Sequence, residues 1–522
     1  MSDDVYDEVA ESVKSSKINN IVMMSLTDSL PDNIDPYYDI DKKYYDFRDK
    51  TDMYKEMNHN VINQKEFIAK GSGETLKDPH NVDFNEVFST TYSSGSTNST
   101  RPKGIVHNIK SYITMGRSHD TDLSNAPSMH GLRVLAMIPT HSNTNLMSNI
   151  TDTLIQGSCV IPEPIAHPDF LLDSFMINKP NFCTATRSLI IRMSKKVLYD
   201  PNYKGVKLPS LFALFSVGEP TTENEEKLMN KALSKAKAGK LWYDKIEKKF
   251  IGKLPVWFPV SIAGGDCEHG GIFYTMFKAW TEKKERLLGH LAKGQRMGMS
   301  THQIVSSIVL NENGEIAQAG ELGRLYCTSQ CNMVGYRDNK EATDAFFKTI
   351  NGVEYGDCSV LATKDKYGRI DVKGRIDKNL SMDINKNVIK VYESVLKDTK
   401  NILSCEVIPN AAGDNYTYIA HIELQPNRQA SVTNTLKSAE ERCQKLLGPE
   451  LSKNVYFRLH GFTNSFTLTG CGKRNSNDLR KEGITENCIK PIIHDDIVEV
   501  KNYFELNDLD YSNELSEYKQ KS

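Results

Sequence analysis

Short apolar runs that stop at proline or glycine set the rhythm of this chain from Val87 onward. Val134-Leu135-Ala136-Met137-Ile138 ends at Pro139, Cys159-Val160-Ile161 at Pro162, and Leu211-Phe212-Ala213-Leu214-Phe215-Ser216-Val217 at Gly218. Longer stretches of helical texture separate them, so the pattern predicts β-α units. Residues 1–84 are polar instead, rich in Asp, Lys, Asn and Tyr, with a weak helical pattern over 37–45. Residues 227–253 are lysine-rich and read as a solvated helix and loop. From Ile304 to about Gly374 the chain reads as β-rich, with turns at Asn313-Gly314, Asn351-Gly352 and Tyr367-Gly368. After Arg375 the pattern resets. Val388 to Leu396, Cys405 to Ile408 and Tyr416 to Ala420 predict a small α+β domain reaching residue 492. The last thirty or so residues are charged and weakly patterned, as in a surface helix or loose tail.

A chain of 522 residues exceeds what one core organises, so two or more domains are expected. A net charge of −2 gives no electrostatic footprint for nucleic acid or an anionic membrane. No signal-peptide pattern opens the sequence, and no apolar run approaches the roughly 20 residues of a membrane span. The 10 cysteines are scattered, which fits a reducing cytoplasm. Cys327 and Cys331 lack nearby partners for a zinc set and read as core thiols.

Two loops carry candidate chemistry. Thr90-Thr91-Tyr92-Ser93-Ser94-Gly95-Ser96-Thr97-Asn98-Ser99-Thr100-Arg101-Pro102-Lys103-Gly104 brings backbone N–H groups, hydroxyls and a lysine to one small volume. That combination suits a triphosphate, although the spacing is not that of a P-loop. A second lysine loop, Thr469-Gly470-Cys471-Gly472-Lys473, lies near the other end. Between them come Gly218-Glu219-Pro220, Gly265-Asp266-Cys267-Glu268, Gly320-Glu321-Leu322-Gly323 with Gly335-Tyr336 and Glu341-Ala342-Thr343, Tyr355-Gly356-Asp357, and Gly374-Arg375-Ile376-Asp377.

These seven segments, in this order over about residues 87–480, resemble the adenylate-forming superfamily of acyl-CoA synthetases, adenylation domains and luciferases. The resemblance implies a large α/β AMP-binding domain, with β-α units and a β-rich subdomain, followed by a small mobile α+β lid. Its implied divisions are an N-terminal segment over 1–84, shorter than in larger family members, the large domain over 85–376, the lid over 377–492 and a tail over 493–522. It also implies that Ser93, Ser94, Gly95, Ser96, Thr97 and Lys103 hold the phosphates of ATP. Glu268 and Thr97 would hold Mg2+. Gly218, Glu219, Pro220, Asp266 and Cys267 would border the adenine. Asp357 and Arg375 would fix the ribose, Lys473 would catalyse adenylation, and Asp377 would be the hinge.

Several positions depart from the family pattern. The phosphate loop carries about two extra residues, with Asn98 in place of a glycine. Gly264 stands where a tyrosine stacks on adenine, Cys267 replaces a threonine, and Ser381 and Ser476 replace basic residues. The segment Pro139-Thr140-His141-Ser142-Asn143-Thr144-Asn145 matches the border of the acyl pocket. His141 is either a pocket residue or a packed core histidine, and Asn145 and Thr184 are further pocket candidates. No acidic residue lies between Pro139 and Asp152 to pair an ammonium, so a neutral aryl or acyl acid is expected. The acceptor is an external thiol. Coenzyme A is favoured, a separate carrier protein is the alternative, and a degenerate nucleotide or acyl binder is the non-catalytic reading.

Overall fold

The structure is a computed structural model. It describes residues 6–16, 18, 20–24, 51–57, 61–75, 82–92, 102–122, 131–139, 142–163, 169–239, 260–276, 286–290, 298–300, 305–376, 388–412, 415–425, 431–461, 466–469, 472–494 and 497–502. The chain divides into two compact units, Met1–Phe84 and Asn85–Ser522. Among the described residues no helix is long and apolar enough to cross a membrane.

The first unit holds α1 (Tyr6–Lys14), β1 (Ile21–Met23), α2 (Thr51–Met57), β2 (Val61–Asn63) and α3 (Gln64–Gly71). β1 and β2 pair in parallel, Ile21 opposite Val61. Ala10, Val13, Met23 and Tyr54 close a small core around them. The helical pattern noted over 37–45 lies outside the described residues.

The second unit opens with β3 (Val87–Tyr92), β4 (Gly104–Asn108) and α4 (Ile109–Asp122). β5 (Arg133–Ala136) follows, then a π-helix over Asn145–Thr151 that runs into α5 (Asp152–Ile155). Next come β6 (Cys159–Pro162), α6 (Leu171–Asn178), β7 (Phe182–Thr186), α7 (Arg187–Tyr199), β8 (Ala213–Val217), α8 (Glu223–Lys235) and β9 (Val260–Asp266). β6, β5, β7, β8 and β9 lie side by side in parallel. Parallel strands are covered by helices on both faces. That is why β5 and β8 read as unbroken apolar runs rather than alternating ones. α8 begins where the sequence supplies a capping box: the Thr222 hydroxyl accepts from Glu225 N, and the Glu225 carboxylate accepts from Thr222 N.

The same sheet continues antiparallel through β10 (Gly271–Met276), β11 (Gly298–Ser300), β17 (Ile370–Arg375), β16 (Val353–Lys364), β13 (Leu322–Thr328) and β12 (Ser306–Leu310). β15 (Phe347–Ile350) pairs with β16, and β14 (Gly335–Tyr336) joins β4 and β3 in a small separate sheet. The turns at Asn313-Gly314, Asn351-Gly352 and Tyr367-Gly368 fall between these strands, as the sequence predicts. Gly323 has a steric reason to lack a side chain. A Cβ there would lie 2.1 Å from the Leu310 carbonyl oxygen across the β12–β13 pair.

From residue 388 a smaller α+β domain forms. The helix Val388–Lys397 places Val388, Val391, Tyr392, Val395 and Leu396 on one buried stripe. It packs with the helix Val432–Leu447 against one face of a sheet ordered β18 (Ile402–Ala412), β19 (Asn415–Leu424), β20 (Val455–His460), β21 (Cys488–His494) and β22 (Ile497–Asn502). The expected architecture, a large α/β domain followed by a smaller α+β domain, is the one observed. One local reading changes. Residues 497–502, expected as surface helix or tail, form β22, because β21 offers them an edge to pair with.

Gly323→Ala is expected to force β12 and β13 apart and cost about 1–3 kcal/mol. A fall in the denaturation midpoint with unchanged far-UV circular dichroism would register it.

Candidate active site

In a parallel sheet, ligands bind beyond the carboxyl ends of the strands, near the point where the strand order reverses. Here the reversal is at β5, which has β6 on one side and β7 on the other. Thr186 ends β7, Gly218-Glu219 follow β8, Asp266 ends β9, and Pro139 follows β5. Of the sequence-predicted residues, Gly218, Glu219 and Asp266 therefore gather along one edge for a topological reason.

Gly218 has φ of +76°, which turns the chain sharply after β8. A Cβ at Gly218 would stand 2.9 Å from Lys473 Cε and 3.4 Å from its Nζ. Lys473 thus lies across this turn, with its side chain in the space that glycine leaves open. Its loop is anchored from both sides. The Thr186 hydroxyl donates to the Gly472 carbonyl at 2.5 Å, and Gly472 N donates to Thr469 O at 2.8 Å.

Glu219 is the anchor beneath. Its carboxylate accepts from Arg187 Nη2, Ser188 N and Ser188 Oγ, each at 3.0 Å, and from Arg474 N at 2.9 Å. Burial alone would raise its proton affinity. Arg187, Arg474 and the converging N–H groups outweigh that and hold it below the usual carboxylate range. Arg474 then reaches on to the Cys405 carbonyl at 3.0 Å, to Glu406 at 3.4 Å and to the Ser404 hydroxyl, with Phe466 stacked 3.7 Å from its guanidinium carbon.

The turn after β9 is equally constrained. The Cys267 carbonyl accepts from His107 Nε2 at 2.7 Å and from Asn143 Nδ2 at 3.0 Å. Tyr112 OH donates to Asn143 Oδ1 at 2.9 Å. Burial holds His107 neutral by pushing its pKa down to about 4. Asp266 receives both the backbone N–H of His269, at 2.8 Å, and its Nδ1, at 2.7 Å. Burial opposes a charge on His269, but Asp266 prevails and raises the pKa to about 10. Glu268 projects from the same turn and accepts from Tyr336 OH at 2.9 Å. Burial and the charge of Asp266 push its carboxyl above the usual range. Lys103 Nζ lies 4.7 Å from the centre of the Tyr336 ring, which brings the end of the first lysine loop to Glu268. The Cys267 side chain packs against the apolar cluster of Ile105, Met333 and Phe346.

Asp357 sits on β16 opposite Tyr326. Arg324 grips its carboxylate with two donors, Nε at 2.8 Å and Nη2, and Ser359 N adds a third at 2.8 Å. Thr184 is buried within β7. Asn145 is buried at the start of the π-helix, a helix form common at functional sites. Its Oδ1 accepts from Asn149 Nδ2 at 2.7 Å. Ser93, Ser94, Gly95, Ser96, Thr97, His141 and Asp377 lie outside the described residues, as does the Arg375 side chain, although its backbone ends β17.

The sequence profile of the family described as AMP-binding enzyme matches residues 7–337, more than half of the chain. The chain belongs to the AMP-binding enzyme family. It is an adenylate-forming enzyme, an AMP-forming ligase of the acid–thiol class. It is similar to D-alanine–D-alanyl carrier protein ligase of Bacillus licheniformis, 21% identical over 426 residues, covering 80% of this chain and 75% of the relative. The enzyme of that name from Bacillus cereus is likewise 21% identical over 429 residues, with 80% and 75% covered. Its fold resembles an anthranilate CoA ligase in complex with anthranoyl-AMP (TM-score 0.62, 16% identity, 91% of this chain and 80% of that one). It also resembles a benzoate CoA ligase from Burkholderia xenovorans (TM-score 0.61, 13% identity, 91% and 82%).

Within this AMP-binding enzyme the sequence reading missed Arg187, Arg324, His269 and Arg474. Arg474 directly follows Lys473, and His269 directly follows Glu268, so proximity was the available signal. Arg187 and Arg324 have no such marker and are recruited only by folding.

Two outcomes follow. Glu219→Gln leaves the Arg187 guanidinium buried, with Glu225 3.5 Å away as its remaining carboxylate. It is expected to cost about 3 kcal/mol, read by chemical denaturation. The His269–Asp266 pair stabilises the fold fully below the ordinary histidine value of 6.5, and its contribution fades as pH rises towards about 10. Thermal midpoints measured from pH 6.5 to 10 should therefore fall less steeply in His269→Gln than in the parent protein.

Proposed function

We propose that this enzyme activates a carboxylic acid with ATP and Mg2+ and passes the acyl group from AMP to a phosphopantetheine thiol. The observation that carries the reading is Lys473 laid across Gly218, with its neighbour Arg474 tied to Glu219. In the first step a carboxylate oxygen attacks the α-phosphorus, and the bond to the bridging oxygen breaks as pyrophosphate leaves. Two anions meet there, so a fixed cation at the α-phosphate acts where charge develops. Lys473 takes that role. Lys103 and the loop Ser93, Ser94, Gly95, Ser96 and Thr97 hold the β- and γ-phosphates. Glu268, with Thr97, suits Mg2+, which prefers oxygen donors and favours the ionised form of a carboxyl that burial disfavours.

Gly218, Glu219 and Pro220 border the adenine with Asp266 and Cys267, and the Glu219 carboxylate does so as a brace rather than as a ligand. Asp357, oriented by Arg324, accepts from the ribose hydroxyls, and Arg375 completes that contact. His141, Asn145 and Thr184 border the acid. Residues 377–492 serve as a lid that turns about Asp377. In the second step the thiol sulfur attacks the acyl carbonyl, AMP departs, and the thiol proton passes to solvent.

Coenzyme A and a carrier protein present the same phosphopantetheine thiol. Similarity to the carrier protein ligases supports the carrier arm, while the sequence reading favoured coenzyme A. For the acid, the absence of an acidic residue between Pro139 and Asp152 supports an aryl or acyl substrate, with D-alanine as the amino-acid comparison.

The test is pyrophosphate release with ATP and Mg2+ across aryl, acyl and amino acids, followed by addition of coenzyme A or a phosphopantetheinylated carrier. Acid-dependent release and a thioester on one acceptor are expected. ATP binding with no acid-dependent release from any of them would overturn the reading in favour of a binder. Lys473 is exposed, so Lys473→Ala should keep the fold by circular dichroism. Its adenylation rate should fall about 10²–10³-fold.

A further inference from the structure

The C-terminal sheet has two faces of different character. Ala420, Ile422, Val455, Phe457 and Leu459 point to the helices. The alternate positions His421, Glu423, Arg458 and His460 point the other way, because successive side chains alternate across a strand. β19 and β20 run parallel, with His421 opposite Arg458 and Glu423 opposite His460. On this second face His421 Nδ1 lies 2.9 Å from His460 Nε2. Glu482, at the end of the helix Ser476–Glu482, brings a carboxylate oxygen to the same point. One ligand atom from each of the three residues lies within 4.8 Å of the others.

We propose that His421, His460 and Glu482 form a binding site for a divalent transition-metal ion, with Zn2+ as the natural occupant. Two imidazoles and a carboxylate are a zinc donor set that leaves a fourth position for water. With Zn–N bonds of about 2.0–2.1 Å, two nitrogens on a tetrahedral ion stand about 3.3 Å apart. The two rings therefore need to separate by only about 0.4 Å to admit the ion. A ring nitrogen binds metal through its lone pair, so both imidazoles must be neutral.

His421 is fully buried, and its Nδ1 faces His460 Nε2. A cation between the rings would take these two facing lone pairs, with the His421 proton on Nε2. Glu482 also accepts from Arg458 Nε at 2.7 Å through Oε1, and a carboxylate has lone pairs enough to serve an arginine and a metal together.

The location gives the site a consequence. The His460 ring lies 4.6 Å from Phe466, which stacks under Arg474, the neighbour of Lys473. A metal ion at this point would pin the base of the lysine loop without touching the reacting atoms.

The experiment uses the full chain, stripped with chelator and dialysed, then titrated with Zn2+ by calorimetry and with Co2+ by visible absorption. One ion per chain is expected, with a Co2+ spectrum lacking thiolate charge-transfer bands and a thermal midpoint raised by about 2 °C or more. Glu482→Gln should weaken binding at least about tenfold, and His460→Gln should abolish both binding and the thermal shift. Substoichiometric binding, a thiolate spectrum, or equal affinity in the parent and Glu482→Gln would overturn the proposal. Because Glu482 is partly exposed at a helix end, that variant remains informative if His460→Gln fails to fold.

Discussion

The site depends on one buried carboxylate. Glu219 carries its charge out of water and must be met by donors on every side. Arg187 and Ser188 supply three of them from the large domain, and the backbone N–H of Arg474 supplies the fourth from the smaller one. A peptide N–H fixed in this way leaves the preceding residue little freedom. Lys473 is therefore aimed across Gly218 by the backbone next to it.

The same logic runs along the rest of the seam. Lys195 pairs with Glu423, Thr222 donates to the Leu403 carbonyl at 3.2 Å, Asn224 to the Ile402 carbonyl at 2.8 Å, and Arg192 to the Phe466 carbonyl at 3.1 Å. These contacts are polar and directional. A seam built of ion pairs and amide contacts can separate into water without exposing a large apolar surface, which a tightly apolar interface cannot do. Apolar groups meet there as well: Leu189 lies against Gly472, and Ile191, Phe466 and Leu468 line the same cleft.

Much of the site was legible because phosphate and nucleotide chemistry limits the residue types at each turn. Gly218, Glu268, Asp357 and Lys473 stood out because the segments that hold them resemble the family's motifs. What could not be read was how those charges are held. Asp266 is read as a nucleotide contact, and its Oδ1 also accepts from His269. Glu219 is read as part of an adenine pocket, and its carboxylate is met there by protein donors. Local sequence states that a charge is present, but whether it faces a ligand or another residue depends on chain segments far away.

The sequence by itself determined the alternation of strands and helices, because strands buried on both faces leave short apolar runs that stop at Pro or Gly, and helices buried on one face leave a 3.6-residue stripe. It also singled out the turns proposed to carry the chemistry. The tertiary structure alone decided the partnerships: Arg187 with Glu219, Arg324 with Asp357, His421 with His460, and Tyr336 with Glu268. The physical reason is that a buried charge or polar group is stabilised over a few ångströms of space whatever its distance along the chain. Pairs separated by tens or hundreds of residues leave no periodic trace in the sequence.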